Sequence, residues 1–282
     1  QLLEDNSTDE PPQVELHIDL IAMFIVSSIM WGIMVFYAFG IHKKGVTIQS
    51  KEDTATKVGN ILFSANIACV LWLMASVMSI FTFGIIIKPI FAIVRLAGLI
   101  LNLIGAGFVG YSLFLATVLT IEAMALAKGV TSVTHTKWLV RVGKYCGCAC
   151  IALGLVSIAI VIIVGEKSFF IIGVTVGIVI AVGYGVISHR FYILSRAEDQ
   201  AQKSHHIPQE CMDDFMHYFT MKISILFLIS AIIHILSATL DESFSGHLHC
   251  GLSILTSTIT LTILKFVFYY EDETVKRNLK SL

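Results

Sequence analysis

Seven long apolar runs divide this chain, and short polar segments separate them. The runs span about residues 18–41, 57–83, 90–126, 142–164, 169–194, 217–240 and 250–269. A helix needs about 20 mostly apolar residues to cross a hydrocarbon core about 30 Å thick, and every run meets that length. The sequence therefore predicts an all-α polytopic membrane protein, built as a bundle of seven transmembrane helices.

Composition excludes a water-soluble globule. Of the 282 residues, 56% are hydrophobic and only 14% are charged, and the mean hydropathy is +0.83. No stretch outside the runs is long enough for a soluble domain. We expect an extracellular N-terminal tail at 1–17, one seven-helix transmembrane domain at 18–269 and a cytoplasmic C-terminal tail at 270–282.

The distribution of Lys and Arg predicts the orientation. When the runs are threaded alternately through a membrane, one side keeps only Lys88 and Lys167, with Arg95 just inside its boundary. Cytoplasmic loops collect Lys and Arg, so the N-terminus is expected outside and the C-terminus inside. The crowded, cytoplasmic side carries Lys43, Lys44, Lys51, Lys57, Lys128, Lys137, Arg141, Lys144, Arg190, Arg196, Lys203, Lys222, Lys276, Arg277 and Lys280.

The predicted outer tail carries signs of the secretory pathway. The sequence begins at Gln1, and a translocated N-terminus is typical of a chain from which a signal peptide has been removed. Asn6 begins an Asn-Ser-Thr sequon on the same side, so we expect glycosylation there. The expected location is the plasma membrane or another membrane of the secretory pathway.

The third run is 37 residues long and allows two interpretations. A hairpin at Gly105 would invert everything downstream and destroy the charge partition, so a single long, tilted helix is preferred. Seven helices, an outer N-terminus and a charged third inner loop together resemble the seven-transmembrane receptor architecture. The chain lacks the local motifs of rhodopsin-like receptors, because no Arg follows Glu122 and no Pro lies at 229–234 or 264–269. A divergent receptor and an unrelated seven-helix protein both stay open.

Polar residues inside membrane helices are costly and mark candidate sites. We expect a ligand site in the outer half, between the third, sixth and seventh runs. Packing is the competing interpretation, since Ser and Thr in membrane helices bond to backbone and to neighbouring helices. Arg95 is expected to pair with Asp241 or Glu242 rather than with Asp19. The candidate ligand-binding residues are Arg95, Asn102, His234, Ser253 and Thr256.

Cys and His offer two further candidate sites. His247, His249 and Cys250 form a compact cluster of imidazoles and a thiol that could bind zinc or copper, or could be an ordinary polar loop. Cys146 and Cys148 lie where the fourth run leaves the cytoplasm, and juxtamembrane thiols are candidates for S-palmitoylation. The sequence has no nucleophile elbow, phosphate-cradling loop or paired intramembrane carboxylates. We expect no enzymatic activity and no cofactor.

Three functions are consistent with this pattern. The first is a receptor-like protein that signals or senses a ligand, the second a structural or assembly subunit of a membrane complex, and the third a channel or transporter. Membrane lipids are the expected surroundings, and nucleic acid is not an expected partner. Glycine pairs such as Gly173 and Gly177 favour contacts with other membrane subunits or a homo-oligomer. The loop at 195–216 is the expected binding region for a cytoplasmic signalling partner.

The predicted topology can be tested with two single-cysteine variants, Glu166→Cys and Lys203→Cys. An impermeant thiol reagent applied to intact cells should label position 166 and spare position 203, because only the first is expected outside. Native cysteines are removed as background, and permeabilised cells provide the control in which both positions react. Labelling of position 203 without position 166 in intact cells would contradict the orientation.

Overall fold

The chain is nearly all helical in a computed structural model. The structure describes residues 14–45, 52–127, 167–202, 212–240 and 244–280, together with positions 145, 152, 156–157, 159–160 and 163–164. A π-helical turn at Ile80–Gly84 and two short strands, β1 (Val14–Leu16) and β2 (Ile85–Ile87), join the helices at one end. The long helices are α1 (Ile18–Gly45), α2 (Glu52–Ser79), α3 (Lys88–Ala127), α4 (Lys167–Gln202), α5 (Met212–Thr239) and α6 (Ser245–Lys280).

Six helices of the described part are long and apolar enough to cross a membrane. The spans are Ile18–Gly40, Gly59–Gly84, Ile90–Leu119, Phe170–Arg190, Met216–Thr239 and Ser245–Val267. This confirms the predicted helical, membrane-embedded class. Most of the predicted fourth run, 142–164, lies outside the described residues. The third run is one continuous helix, as predicted, since α3 passes through Gly105 without a break.

Helix α6 is the central helix of the described bundle. It packs against α1, α2, α3 and α5, and 67% of its membrane-length window is buried, against 17% for α4. Its sequence explains this position, because small and hydroxyl-bearing residues let neighbouring helices approach closely. Ser253 of α6 is hydrogen bonded to Ser27 of α1 at 2.8 Å, and Trp31 Nε1 of α1 donates to the same Ser253 Oγ at 3.0 Å.

Hydroxyl groups also link the other neighbouring helices. Ser64 of α2 and Ser112 of α3 lie 2.7 Å apart, oxygen to oxygen. Tyr184 of α4 bonds to Thr117 of α3, with 2.5 Å between the two oxygens. Ser224 of α5 donates to the Ala181 carbonyl of α4 at 2.6 Å. Interhelical bonds of this kind contribute about 0.6 kcal/mol each on average in membrane bundles. Their main consequence is therefore to fix which helix faces meet.

The contact between α4 and α5 is the most extensive helix pairing in the described part. The seam consists of small residues of α4 at four-residue steps, Gly173, Gly177 and Ala181, which face α5. A methyl group at Gly177 would lie 3.0 Å from the Ala231 Cβ and 3.1 Å from the Phe227 carbonyl oxygen. The absence of a side chain at Gly177 therefore lets the two helices approach closely, as at small-xxx-small motifs.

Strands β1 and β2 close one end of the bundle, which we call the capped end. They pair antiparallel, with Glu15 opposite Ile86. The His17 N–H donates to the Gly84 carbonyl at 2.8 Å, where the π-helical turn gives way to β2. A side chain at Gly84 would collide with Ile21, since an added Cβ would lie 2.5 Å from its Cγ1. Glycine is therefore required for the start of α1 to pack against this turn.

Substitution of the seam glycine tests the α4–α5 packing. Gly177→Leu should destabilise the protein by about 1–3 kcal/mol, the usual cost of overpacking a tight contact. Gly183→Leu is the matched control, because no atom lies within 4 Å of an added Cβ there and the residue is on the same helix. Thermal unfolding of the detergent-purified variants measures the difference. Equal melting temperatures of Gly177→Leu and Gly183→Leu would contradict the close packing of α4 against α5 at Gly177.

Candidate functional site

Four polar side chains from three helices gather near the capped end. Arg95 and Asn102 lie on α3, His234 on α5 and His249 on α6, and we call these four residues the polar cluster. Asn102 is 5% exposed and His234 is 9% exposed, so both are buried. Polar groups at such positions in a membrane helix need partners, because lipid supplies none. Within the cluster, the Asn102 amide and the His249 imidazole form a hydrogen bond between α3 and α6.

His249 is the centre of the polar cluster. With the amide placed as it is, Asn102 Nδ2 donates to His249 Nε2 at 3.2 Å and joins α3 to α6. Two aromatic rings lie beside the imidazole: the Phe83 ring centroid is 5.2 Å away and the Phe24 centroid 6.4 Å away. The site therefore combines a few oriented polar groups with an aromatic wall, the usual chemistry of small-molecule pockets.

Arg95 and His234 lie in the neighbourhood of His249. The Arg95 guanidinium carbon is 5.6 Å from the Phe91 ring centroid, a cation–π contact on the same helix. His234 Nδ1 donates to the Ser230 carbonyl at 2.7 Å, which leaves Nε2 as the ring's acceptor in the neutral form.

The position of His234 depends on a glycine of the neighbouring helix. A methyl group at Gly173 would overlap the imidazole ring, so the absence of a side chain on α4 leaves the space that the ring occupies. Four helices thus build the site: α3, α5 and α6 supply the polar groups, and α4 supplies the space. The tight α4–α5 seam and the polar cluster are parts of one packing arrangement.

Two of the predicted ligand residues lie in other networks. Ser253 faces α1, where it is bonded to Ser27 and Trp31 as described above. Thr256 donates to the Leu252 carbonyl of its own helix at 2.8 Å. The structure brings Arg95, Asn102 and His234 to one place, and it uses Ser253 and Thr256 in helix packing and local backbone bonding.

The three predicted metal ligands have separate partners. His247 Nε2 lies 3.2 Å from Asp19 Oδ2 in an exposed pair between α6 and α1. His249 is bonded to Asn102, and the Cys250 thiol points to the Met23 carbonyl at 3.8 Å. Within the part of the chain that the structure describes, no three His, Cys, Asp or Glu side chains could hold a metal together.

Several predicted positions lie outside the described residues. These are the glycosylation candidate Asn6, the lipidation candidates Cys146 and Cys148, and the expected Arg95 partners Asp241 and Glu242. Asp19, the less favoured partner of Arg95, pairs with His247. Sequence reasoning missed the aromatic wall, because Phe24 and Phe83 are two phenylalanines among many in apolar runs and only the tertiary structure distinguishes them.

Comparison with known proteins gives no functional assignment. No family model matches the chain, no curated protein sequence matches it, and no solved structure matches it.

Replacement of Asn102 tests the centre of the polar cluster. Asn102→Leu keeps the side-chain size but leaves the His249 ring without its α3 partner, at a cost of about 0.6–1.7 kcal/mol, the range measured for interhelical bonds in membranes. Asn66→Leu is the control, since Asn66 is a half-buried amide on α2, closer to the other end. Thermal unfolding in detergent should show a lower melting temperature for the first variant alone. Equal effects would argue against the Asn102–His249 bond.

Proposed function

We propose that the chain is a receptor-like seven-transmembrane protein that binds a small ligand at the polar cluster and has no catalytic activity. The observation that carries the proposal is the convergence of Arg95, Asn102, His234 and His249 from three helices beside an aromatic wall. Intramembrane polar groups are expensive, and their clustering at one end is typical of a binding site.

The seventh crossing is part of the proposal, and the course of the helices supports it. Helix α3 begins at the capped end, since Arg95 and Asn102 lie near its start and Thr117 lies deeper. Helix α4 also begins there, since Gly173 faces His234 and Tyr184 meets Thr117. A chain that runs along α3 away from the capped end has to return to it before α4 begins. The apolar run at 142–164 has the length to make that crossing.

The chemistry of the polar cluster favours a small anionic ligand. Arg95 carries a permanent positive charge, and the Asn102 amide can donate hydrogen bonds. A carboxylate or phosphate group would accept from these donors, and Arg is the side chain that binds such groups in a two-pronged geometry. The phenyl rings of Phe24 and Phe83 would contact an apolar portion of the same ligand.

Contacts between α5 and α6 provide a route from the polar cluster to the opposite end. These two helices pack against each other, and His234 and His249 lie in the same neighbourhood near the capped end. Toward the other end, Phe219 of α5 stacks on Phe266 of α6 with ring centroids 4.1 Å apart. A ligand that favours one spacing of the two histidines would shift the population of α5–α6 arrangements. The loop at 195–216, where a cytoplasmic partner is expected to bind, leads along the chain into the start of α5.

An assembly subunit is the second candidate, and the hydrogen-bond pattern is what favours it. Most described intramembrane hydroxyls are satisfied by one another or by carbonyls of their own helix, as Ser64 and Thr256 are. A static chain that only packs against partners would have this pattern. The same pattern gives no support to a continuous polar path, so a channel or transporter is the least favoured candidate.

Ligand-dependent stabilisation tests the receptor proposal. The probes are acetate, succinate, glutamate and inorganic phosphate, added to the detergent-purified protein during thermal unfolding. A bound probe at 100 times its Kd should stabilise the folded state by about 2.7 kcal/mol. Arg95→Gln should abolish the shift, because the permanent charge is lost. Lys265→Gln, an exposed cation of α6 far from the polar cluster, should keep it.

Two results would contradict this proposal. The first is the absence of a shift with every probe, together with a large loss of stability in Arg95→Gln; that combination is expected of a packed, ligand-free assembly subunit. The second is an equal loss of the shift in Lys265→Gln, which would mean that the probes act through general surface charge.

A further inference from the structure

A groove on α4 lies away from the polar cluster and belongs to no network described above. It is an open groove with a volume of about 560 Å³, and its described lining residues are Val182, Gly185, Val186, His189, Arg190 and Ile193. These positions follow one another at steps of three and four residues, so they form one continuous stripe of the helix. The stripe runs beside the α4–α5 seam, and Gly185 borders both.

The groove changes character along its length. Val182, Gly185 and Val186 make its first half apolar, and His189 and Arg190 follow one turn later. The valines and both of these polar residues are exposed. The apolar span of α4, Phe170–Arg190, ends at this Arg. An exposed apolar surface within a membrane span contacts acyl chains, and a cation at the end of the span lies at the depth of lipid headgroups.

Additional positive charge lies just beyond Arg190. Arg196 is about two turns further along α4, and its guanidinium carbon lies 5.1 Å from the Tyr192 ring centroid. The aromatic contact holds this charge close to the helix rather than free in solvent. A groove whose apolar first half is followed by cations is complementary to a molecule with a hydrocarbon chain and an anionic head.

We propose that this groove binds an anionic phospholipid. Its acyl chain lies along Val182, Gly185 and Val186, and its phosphate group lies at Arg190 and His189. Basic pockets beside transmembrane helices recognise anionic headgroups through this combination of charge and apolar surface. The site is separate from the polar cluster, which lies toward the opposite end of α4. The proposal therefore stands whether or not the chain is a receptor.

Spin-labelled lipids test the proposal with the full chain in phosphatidylcholine vesicles. The probes are spin-labelled phosphatidylserine and spin-labelled phosphatidylcholine, and the measurement is the immobilised fraction of each. The wild-type protein should prefer phosphatidylserine. Arg190→Gln should reduce that preference about fivefold, the factor that loss of one surface cation predicts. Arg190→Lys should retain most of it, and Lys265→Gln, an exposed cation of α6, should leave it unchanged.

Several outcomes would overturn the proposal. One is a wild-type protein without preference for phosphatidylserine, as expected if another protein segment fills the groove. Another is an equal loss of preference in Lys265→Gln and Arg190→Gln, which would mean that net charge alone attracts the lipid. A third is displacement of the labelled lipid by soluble inorganic phosphate at the same ionic strength as a chloride control. That result would assign Arg190 to a free phosphate site.

Discussion

Close approach of helices through small side chains is the constraint on which the described structure depends. In a membrane, lipid tails are as apolar as the helix surfaces, so burial of apolar area does not drive helices together. Contact distance and hydrogen bonds decide the packing instead. Gly177 lets α5 come within contact of the α4 backbone, and Ser253 joins the central α6 to α1. A larger residue at position 177 would push α4 and α5 apart, and a larger residue at position 253 would push α6 and α1 apart.

The candidate site is a consequence of that packing. His234 occupies space that exists because residue 173 is glycine, and Asn102 reaches His249 because α3 and α6 meet near the capped end. The strands that close this end hold the start of α1 against the π-helical turn, and the turn carries Phe83 beside His249. The polar groups and the aromatic wall are thus positioned by three contacts: between α4 and α5, between α3 and α6, and between the start of α1 and the π-helical turn. The described lining of the proposed lipid-binding groove, in contrast, lies on α4 alone.

Some residues of the candidate site could be recognised from the sequence, and others could not, because sequence does not show which groups a polar side chain will meet. Arg95, Asn102 and His234 were recognisable because polar residues in apolar runs are rare and costly. Ser253 and Thr256 were equally recognisable, but a hydroxyl can satisfy itself on its own helix or on any neighbour. Sequence does not reveal which of these occurs. His247, His249 and Cys250 were a candidate metal cluster, with an ordinary polar loop as the alternative. Each of the three meets a different partner, since neighbouring positions on a helix point in different directions.

The sequence by itself determined the class of this protein and the single long α3. The length and apolarity of a run are local properties, and they decide whether that run can cross the hydrocarbon core of a bilayer. Its Lys and Arg distribution predicts the orientation by the same local logic. Only the tertiary structure decided which polar groups meet. That choice depends on the rotation of each helix and on the distance between helices, and both follow from many weak contacts across the bundle. Single residues such as Gly173 become informative only once their neighbours are known.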